Sequence, residues 1–299
     1  MTEPSDRTYI VTGANSGVGL ETARGLARTG AAVVMTARDQ EKGERALDEV
    51  RRTTGNDRVQ LQMLDLASLA DVARAADALL DRCPRIDGLI NNAGLGTARS
   101  GTTADGLELI VGTNHVGHFA LTERLIGRIL ETAAGHGQAR IVNVSSLAHR
   151  FARGFTPEGI TWRGPARSAL RAYADSKMAN LLHARELARR HGAAGLRAHA
   201  VHPGYVNSNF SRPEHFPGLF QVFDKLAKPI QVSNEMGAKP SLHAALSEEA
   251  GRLNGSYFVK EAPQTPTLPS DAPGIQSRLW SRTEAVVAEA EDKAGGAAA

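Results

Sequence analysis

The chain has 299 residues, 41% hydrophobic and 22% charged, values that exclude a fibrous, low-complexity or wholly disordered architecture and allow a sizeable core. Lys plus Arg number 35 against 32 Asp plus Glu, a formal charge of +3 without a basic block, so neither nucleic acid nor an anionic membrane surface is expected as a partner. A single cysteine, Cys83, excludes an internal disulfide framework and any cysteine cluster for metal, and beside Pro84 it reads as a small buried side chain.

Met1 to Arg7 is polar, with no apolar core of signal-peptide length, and no later run reaches the ~18 apolar residues of a membrane span; a cytoplasmic location is expected. Thr8 to Thr12 reads as a buried strand, and glycines follow at once. From Val18 to Arg28, Leu20, Ala23, Leu26 and Ala27 share a helical face, and Gly30 closes the segment. Ala32 to Thr36 is a second strand, after which Asp39 is placed to cap a helix carrying Ala46, Leu47 and Val50 and ending near Gly55. The alternation continues with a strand over 59–64, a helix bearing Leu69, Val72, Ala76 and Leu79, and a strand over 86–91. Helical patterning covers 105 to about 132, a strand 141–145, a helix 173–190 and a strand 196–202. Strands and helices alternating in this way predict an α/β fold: a single Rossmann-type doubly wound parallel sheet of about seven strands with helices on both faces, one domain over 1–299.

Residues 150–171 and 208–233 break the pattern. Both follow strands at the end where open α/β sheets bind ligands, and both are expected to be substrate-side insertions. Phe210, Phe216, Leu219, Phe220 and Phe223 in the second suggest a hydrophobic substrate, although a packing helix or a subunit contact would use the same residues. Residues 261–299 form a C-terminal extension, with a proline-rich loop over 261–274 and a frayed end from Lys293.

Gly13, Gly17 and Gly19 lie between the first strand and first helix, where absent side chains let backbone N–H groups and a helix N-terminus approach a pyrophosphate. A dinucleotide is the natural occupant. At the end of the second strand, where an acid would bind the ribose hydroxyls of NAD, stand Ala37 and Arg38; a guanidinium there suits a 2′-phosphate and hence NADP(H), unless Arg38 is simply solvated. Asp65, ending the third strand, can accept from the adenine amino group or serve as a charge near a helix start. Tyr173 and Lys177, four apart on a helix, share a face, and an ammonium there is expected to lower the phenol's pKa. Ser146 is placed to hydrogen-bond a substrate oxygen, and Asn114 to break its helical turn and hold a water.

With Thr12-Gly13-Ala14-Asn15-Ser16-Gly17-Val18-Gly19, Asp65, Asn91-Asn92-Ala93-Gly94, Asn114, Ser145-Ser146, Tyr173-Ala174-Asp175-Ser176-Lys177 and Pro203-Gly204, residues 7 to 260 resemble the short-chain dehydrogenase/reductase family. The resemblance implies a tetrad of Asn114, Ser146, Tyr173 and Lys177. Tyr173 is then the proton donor or acceptor, Ser146 polarises the carbonyl, Lys177 also binds the nicotinamide ribose, and Asn114 supports a water-mediated proton relay. It further implies cofactor contacts from Gly13, Asn15, Ser16, Gly17, Val18 and Gly19 in the turn, from Arg38, Asp65, Leu66, Asn91 and Ala93 at the strand ends, and from Pro203, Gly204, Val206 and Ser208 beside the carboxamide. No metal is required.

Gly112-Thr113-Asn114-His115-Val116-Gly117-His118-Phe119, the stretch Val142 to His149, the long interval from Ser146 to Tyr173 and the late Arg278-Leu279-Trp280 resemble the retinol-dehydrogenase and WW-domain-oxidoreductase branch. Light-dependent protochlorophyllide reductase is similar over the Gly-Thr-Asn-His stretch but carries a functional cysteine after Pro-Gly, where this chain has Tyr205. His115, His118 and His149 lack acidic or cysteine companions and read as packed or substrate-edge histidines. The expected activity is reduction of a hydrophobic, polycyclic or secondary-metabolite ketone or aldehyde, or the reverse oxidation of its alcohol, by a chain that can form a homo-oligomer. A C=C reductase using the same cofactor and a non-catalytic NADP(H)-sensing protein are the alternatives.

Overall fold

The computed structural model describes residues 4–96, 101–166, 168–205, 232–266 and 274–297. Eight strands form one sheet: β1 (Thr8–Val11), β2 (Ala32–Ala37), β3 (Val59–Met63), β4 (Gly88–Asn91), β5 (Ala139–Val144), β6 (Leu196–His202), β7 (Tyr257–Val259) and β8 (Ala262–Gln264), in the order β3-β2-β1-β4-β5-β6-β7-β8. All neighbours are parallel except β7 and β8. The reversal of order beside β1 makes the switch point at which a doubly wound sheet opens a crevice.

The helices are α1 (Gly17–Ala27), α2 (Gln40–Thr54), α3 (Leu69–Arg82), the short α4 (Leu109–Val111), α5 (Gly117–His136), α6 (Ala169–His191), α7 (Asn234–Leu246), α8 (Glu248–Arg252) and α9 (Ile275–Ala297). Side chains alternate across each strand. Tyr9, Val11, Val33, Met35, Val142, Val201 and Phe258 pack under α1, α2 and α7, while Ile10, Val34, Leu89, Ile141, Ala198 and Ala200 pack under α3, α5, α6 and α9. Asp39 accepts from the Lys42 amide and starts α2, Gly55 ends it with φ +67°, and Cys83 is buried, as expected.

Three expectations change. The sheet has an eighth strand inside the segment read as a proline-rich loop: the chain reverses at Lys260 (φ 58°) so that Ala262 pairs with Val259, and Pro263 is tolerated because β8 is an edge. The C-terminal residues do not all fray, since α9 continues to Ala297. Within 150–171, the part over 155–164 is a brace: Phe155, Ile160 and Trp162 are buried, Trp162 Nε1 donates to Pro157 O at 2.8 Å, and Glu108 N donates to Trp162 O.

Candidate functional site

The turn after β1 is shaped by close approach. Gly13 has φ +64°, and a Cβ on it would lie 2.8 Å from Ala93 Cβ; one on Gly19 would strike the Asn92 amide and Gly13 O. Ser16, at the N-terminus of α1, is extended and its side chain makes no capping bond, which leaves the first-turn amides to meet an anion. Asn15, Ser16, Gly17 and Val18 follow β1 at the C-terminal edge of the sheet. On the neighbouring strands, Arg38 is exposed directly after β2, while Asp65 and Leu66 follow β3, Asp65 accepting from Ala67 N at 2.9 Å.

Asn91, Asn92 and Ala93 end β4 against this turn. Thr12 Oγ1 accepts from Asn92 N at 2.9 Å and Ala93 N at 3.0 Å, and Asn92 Nδ2 donates to Thr12 O at 2.8 Å. The Asn91 side chain is directed elsewhere: its Nδ2 donates to Asn143 Oδ1 at 2.9 Å and Thr122 Oγ1 at 3.0 Å, tying β4 to β5 and α5. A Cβ on Gly94 would come within 3.3 Å of Lys177 Nζ and 3.8 Å of Asn114 Oδ1, so the bare glycine brings the end of β4 to the tetrad.

Asn114 lies in a π turn over Gly112–Val116, in which Gly117 N bonds Gly112 O five residues back. The helix therefore breaks where it was expected to. The Asn114 side chain accepts from Leu95 N at 2.7 Å and donates to Leu95 O at 3.0 Å and Ser176 Oγ at 3.1 Å, clamping the β4 loop to α6.

Ser146 follows β5 and heads the short turn Leu147–Phe151, its Oγ accepting from Ala148 N at 3.2 Å. Ser145 Oγ donates to Lys177 O at 2.7 Å and so presses α6 onto β5. Lys177 is 3% exposed, donates to Val144 O at 3.1 Å, and holds Nζ 5.6 Å from the Tyr173 ring centroid. The expected lowering of the phenol's pKa is not what this arrangement produces. Burial pushes Tyr173 up to about 12 against a partial offset from the Ser146 side chain, and the same burial brings the Lys177 ammonium down to about 8.

Pro203 and Gly204 follow β6; Gly204 has φ +89°, and Val232 N donates to Tyr205 O at 2.9 Å. Val206 and Ser208, with the phenylalanines of the second insertion, lie outside the described residues. Exposed apolar Leu147, Phe151 and Leu170 flank Ser146 and Tyr173 in the chain. Thr12, Ser145 and Ser176 have no role assigned from the sequence, although each sits inside a motif; the sequence marks His118 as a packed or substrate-edge residue, and its spacing of four from Asn114 is the signal that points to more.

The sequence profile described as short chain dehydrogenase matches residues 7–158. The human protein "Retinol dehydrogenase 13" is 35% identical over 94% of this chain and 84% of its own length. The chain belongs to the short-chain dehydrogenase/reductase family. It is an oxidoreductase of that family, in its retinol dehydrogenase-like branch. Among solved structures, an uncharacterized protein from Mycobacterium Paratuberculosis matches with a TM-score of 0.73 and 37% identity, covering 94% of this chain and 93% of the other. The 3-ketoacyl-(acyl-carrier-protein) reductase from Brucella melitensis, solved with NADH, matches with a TM-score of 0.66 and 25% identity over 85% and 96% of the two chains. The short-chain dehydrogenase/reductase fold binds NAD(P)(H). Among the described residues no helix is long and apolar enough to cross a membrane, and no group of three or more His, Cys, Asp or Glu side chains is placed to hold a metal ion.

Proposed function

We propose that the protein is a cytoplasmic NADP(H)-dependent reductase of hydrophobic ketones or aldehydes, running also as the alcohol dehydrogenase, with Asn114, Ser146, Tyr173 and Lys177 as its working residues. The observation that carries this reading is the convergence of Ser146, directly after β5, with Tyr173 and Lys177 on α6, Lys177 being buried one helical turn beyond Tyr173 with Nζ 5.6 Å from its ring centroid. A non-catalytic sensor has no use for a phenol held beside a buried ammonium.

The residues present fit a dinucleotide: the Gly13 to Gly19 turn and the open amides of α1 suit a pyrophosphate, and a side chain at Gly94 would intrude on Lys177. Arg38, exposed after β2 and preceded by Ala37 in place of an acid, supports a 2′-phosphate and hence NADP(H). The nicotinamide supplies the hydride. Ser146 Oγ would hold the carbonyl oxygen, and Tyr173 Oη would deliver the proton to it. Because the phenol is held near 12, it stays protonated at neutral pH, the state that donates in reduction. Leu147, Phe151 and Leu170, exposed beside Ser146 and Tyr173, support an apolar substrate.

NADPH oxidation followed by absorbance across aldehydes, monocyclic and polycyclic ketones, retinal and an enone tests the reading. Consumption with a saturated carbonyl that is abolished in Tyr173→Phe, with NADPH binding kept, is expected; reduction of the enone's C=C alone would replace it by the double-bond reductase. Arg38→Asp is expected to shift the preference toward NADH, and an unchanged NADPH/NADH ratio would remove the 2′-phosphate assignment.

A further inference from the structure

We propose that His118 is a positioning residue that ties the nucleotide turn after β1 to the backbone of Asn114, so that the cofactor half and the proton-transfer half of the site are held in register; this rests on the reading of the site as one for hydride transfer. The ring is 1% exposed and lies between two fixed groups: Nε2 is 2.8 Å from Thr12 Oγ1, and Nδ1 is 2.9 Å from Asn114 O.

The hydrogen-bond accounting admits one arrangement. A carbonyl oxygen only accepts, so Nδ1 carries the hydrogen and Nε2 is the bare nitrogen. Thr12 Oγ1 already accepts from the amides of Asn92 and Ala93, which leaves its own hydrogen for Nε2; the competing acceptor, Ile90 O, is farther away at 3.4 Å. Every polar atom in the chain from Asn92 N to Asn114 O is then satisfied. Burial, with the Lys177 ammonium as a smaller contributor, holds the imidazole down at about 3, so this neutral form persists across the working pH range.

The local backbone accounts for the ring's position. The π turn over Gly112–Val116 ends at Gly117, where a Cβ would run into Leu66 O, and His118 is the first residue of α5 beyond it. Asn114 is thereby held from both sides: its side chain by Leu95 and Ser176, its carbonyl by His118. Thr12 in turn touches the residues that shape the dinucleotide turn, so a displacement at one end of the imidazole is passed to the other.

Two substitutions separate the ends. His118→Asn keeps a donor near the position of Nδ1 but is too short for Thr12; His118→Gln carries its amide to the position of Nε2 and releases Asn114 O. With NADPH as the probe, fluorescence titration is expected to show His118→Asn binding about three- to tenfold more weakly and His118→Gln within about twofold of the parent, the scale of one buried hydrogen bond. At saturating NADPH, with the best carbonyl of the panel, the order is expected to reverse, His118→Gln losing about three- to tenfold in kcat and His118→Asn less. Equal losses in both variants, or none in either, would overturn the proposal, because a packing role moves both quantities together.

If neither variant folds, the test passes to Thr12. Thr12→Val is expected to lower kcat at saturating NADPH as well as affinity, and Thr12→Ser to restore both; an unchanged kcat in Thr12→Val overturns the proposal. A parent protein that binds NADPH but reduces no carbonyl counts against the proposed activity, and the affinity split between the two His118 variants still decides the bridge.

Discussion

On the face of the sheet under α1, α2 and α7 the buried set is mostly apolar; its polar members include Thr22, Arg24, Asn56, Arg140, His199 and Ser241, of which Arg24 pairs with Glu21 and Glu49 and Arg140 and His199 donate to Ala244 O and Ala250 O. Under α3, α5, α6 and α9 the apolar cluster is larger but interrupted by Asn91, Asn114, His115, His118, Lys177, Asn180 and His183, all buried. Burying a polar group costs free energy unless its bonds are replaced, and the second face replaces many of them through chains such as Asn91 Nδ2 to Asn143 Oδ1 and Asn143 Nδ2 to the Asn180 carbonyl. The first face is thus a store of stability, and the second gives up stability to hold chemistry. Substitutions chosen from each should move different observables.

The largest stability loss is expected on the first face. Leu26 is fully buried in α1 among Val11, Met35 and Val50, so Leu26→Ala should destabilise by about 2–5 kcal/mol, measured by urea unfolding. The fraction that remains folded should keep the parent's kcat. A fall in kcat at constant folded fraction would show that the two faces are coupled.

Lys177 should behave in the opposite sense. Its pKa is brought down from 10.5 to about 8 in the folded protein, so between those values the unfolded chain holds the extra proton and stability rises with pH. Below pH 8 the charged, buried ammonium costs the fold roughly 3 kcal/mol, and above about 10.5 the cost is gone. Lys177→Met is therefore expected to abolish turnover while raising unfolding free energy at pH 7 by up to about 3 kcal/mol, an advantage that shrinks through this window. Val144 O is not orphaned by the change, because Asn180 Nδ2 also reaches it at 3.3 Å. Loss of stability at pH 7 would mean that the ammonium is compensated within the fold.

The same contrast explains what the sequence could show. The glycine turn and the Tyr173/Lys177 pair are local: their meaning lies in spacing on one strand-turn-helix unit or one helix, and both stand where the pattern put them. The break at Asn114 was legible for the same reason. Strand β8, three residues long and containing Pro263, has no period of its own and exists only through its pairing with β7. Phe155, Ile160 and Trp162 stand singly among Gly, Pro, Thr and charged residues, in no run long enough to carry a period, so only tertiary packing reveals that they brace the 101–109 segment. The direction of the Tyr173 shift was likewise out of reach, since it depends on how burial weighs against a charge whose distance the spacing does not set.

The smallest effect is expected where the C-terminal helix meets the polar face. Thr283 Oγ1 lies 3.1 Å from His115 Nε2 and 2.8 Å from Leu279 O, while His115 Nδ1 faces Asn180 Oδ1 at 3.3 Å. Burial lowers the imidazole to about 4, so it is neutral, and the Thr283 hydroxyl is its hydrogen-bond partner at Nε2. Thr283→Val keeps the shape and removes that partner, for an expected loss of about 1 kcal/mol. Leu279 and Trp280 stay buried, Trp280 against Phe119 with ring centroids 4.9 Å apart, so α9 should remain docked but open more often. Hydrogen exchange should quicken in α9 and at the π turn and stay unchanged in α1 and α2; a uniform acceleration would show that this polar contact supports the whole sheet and not one face of it.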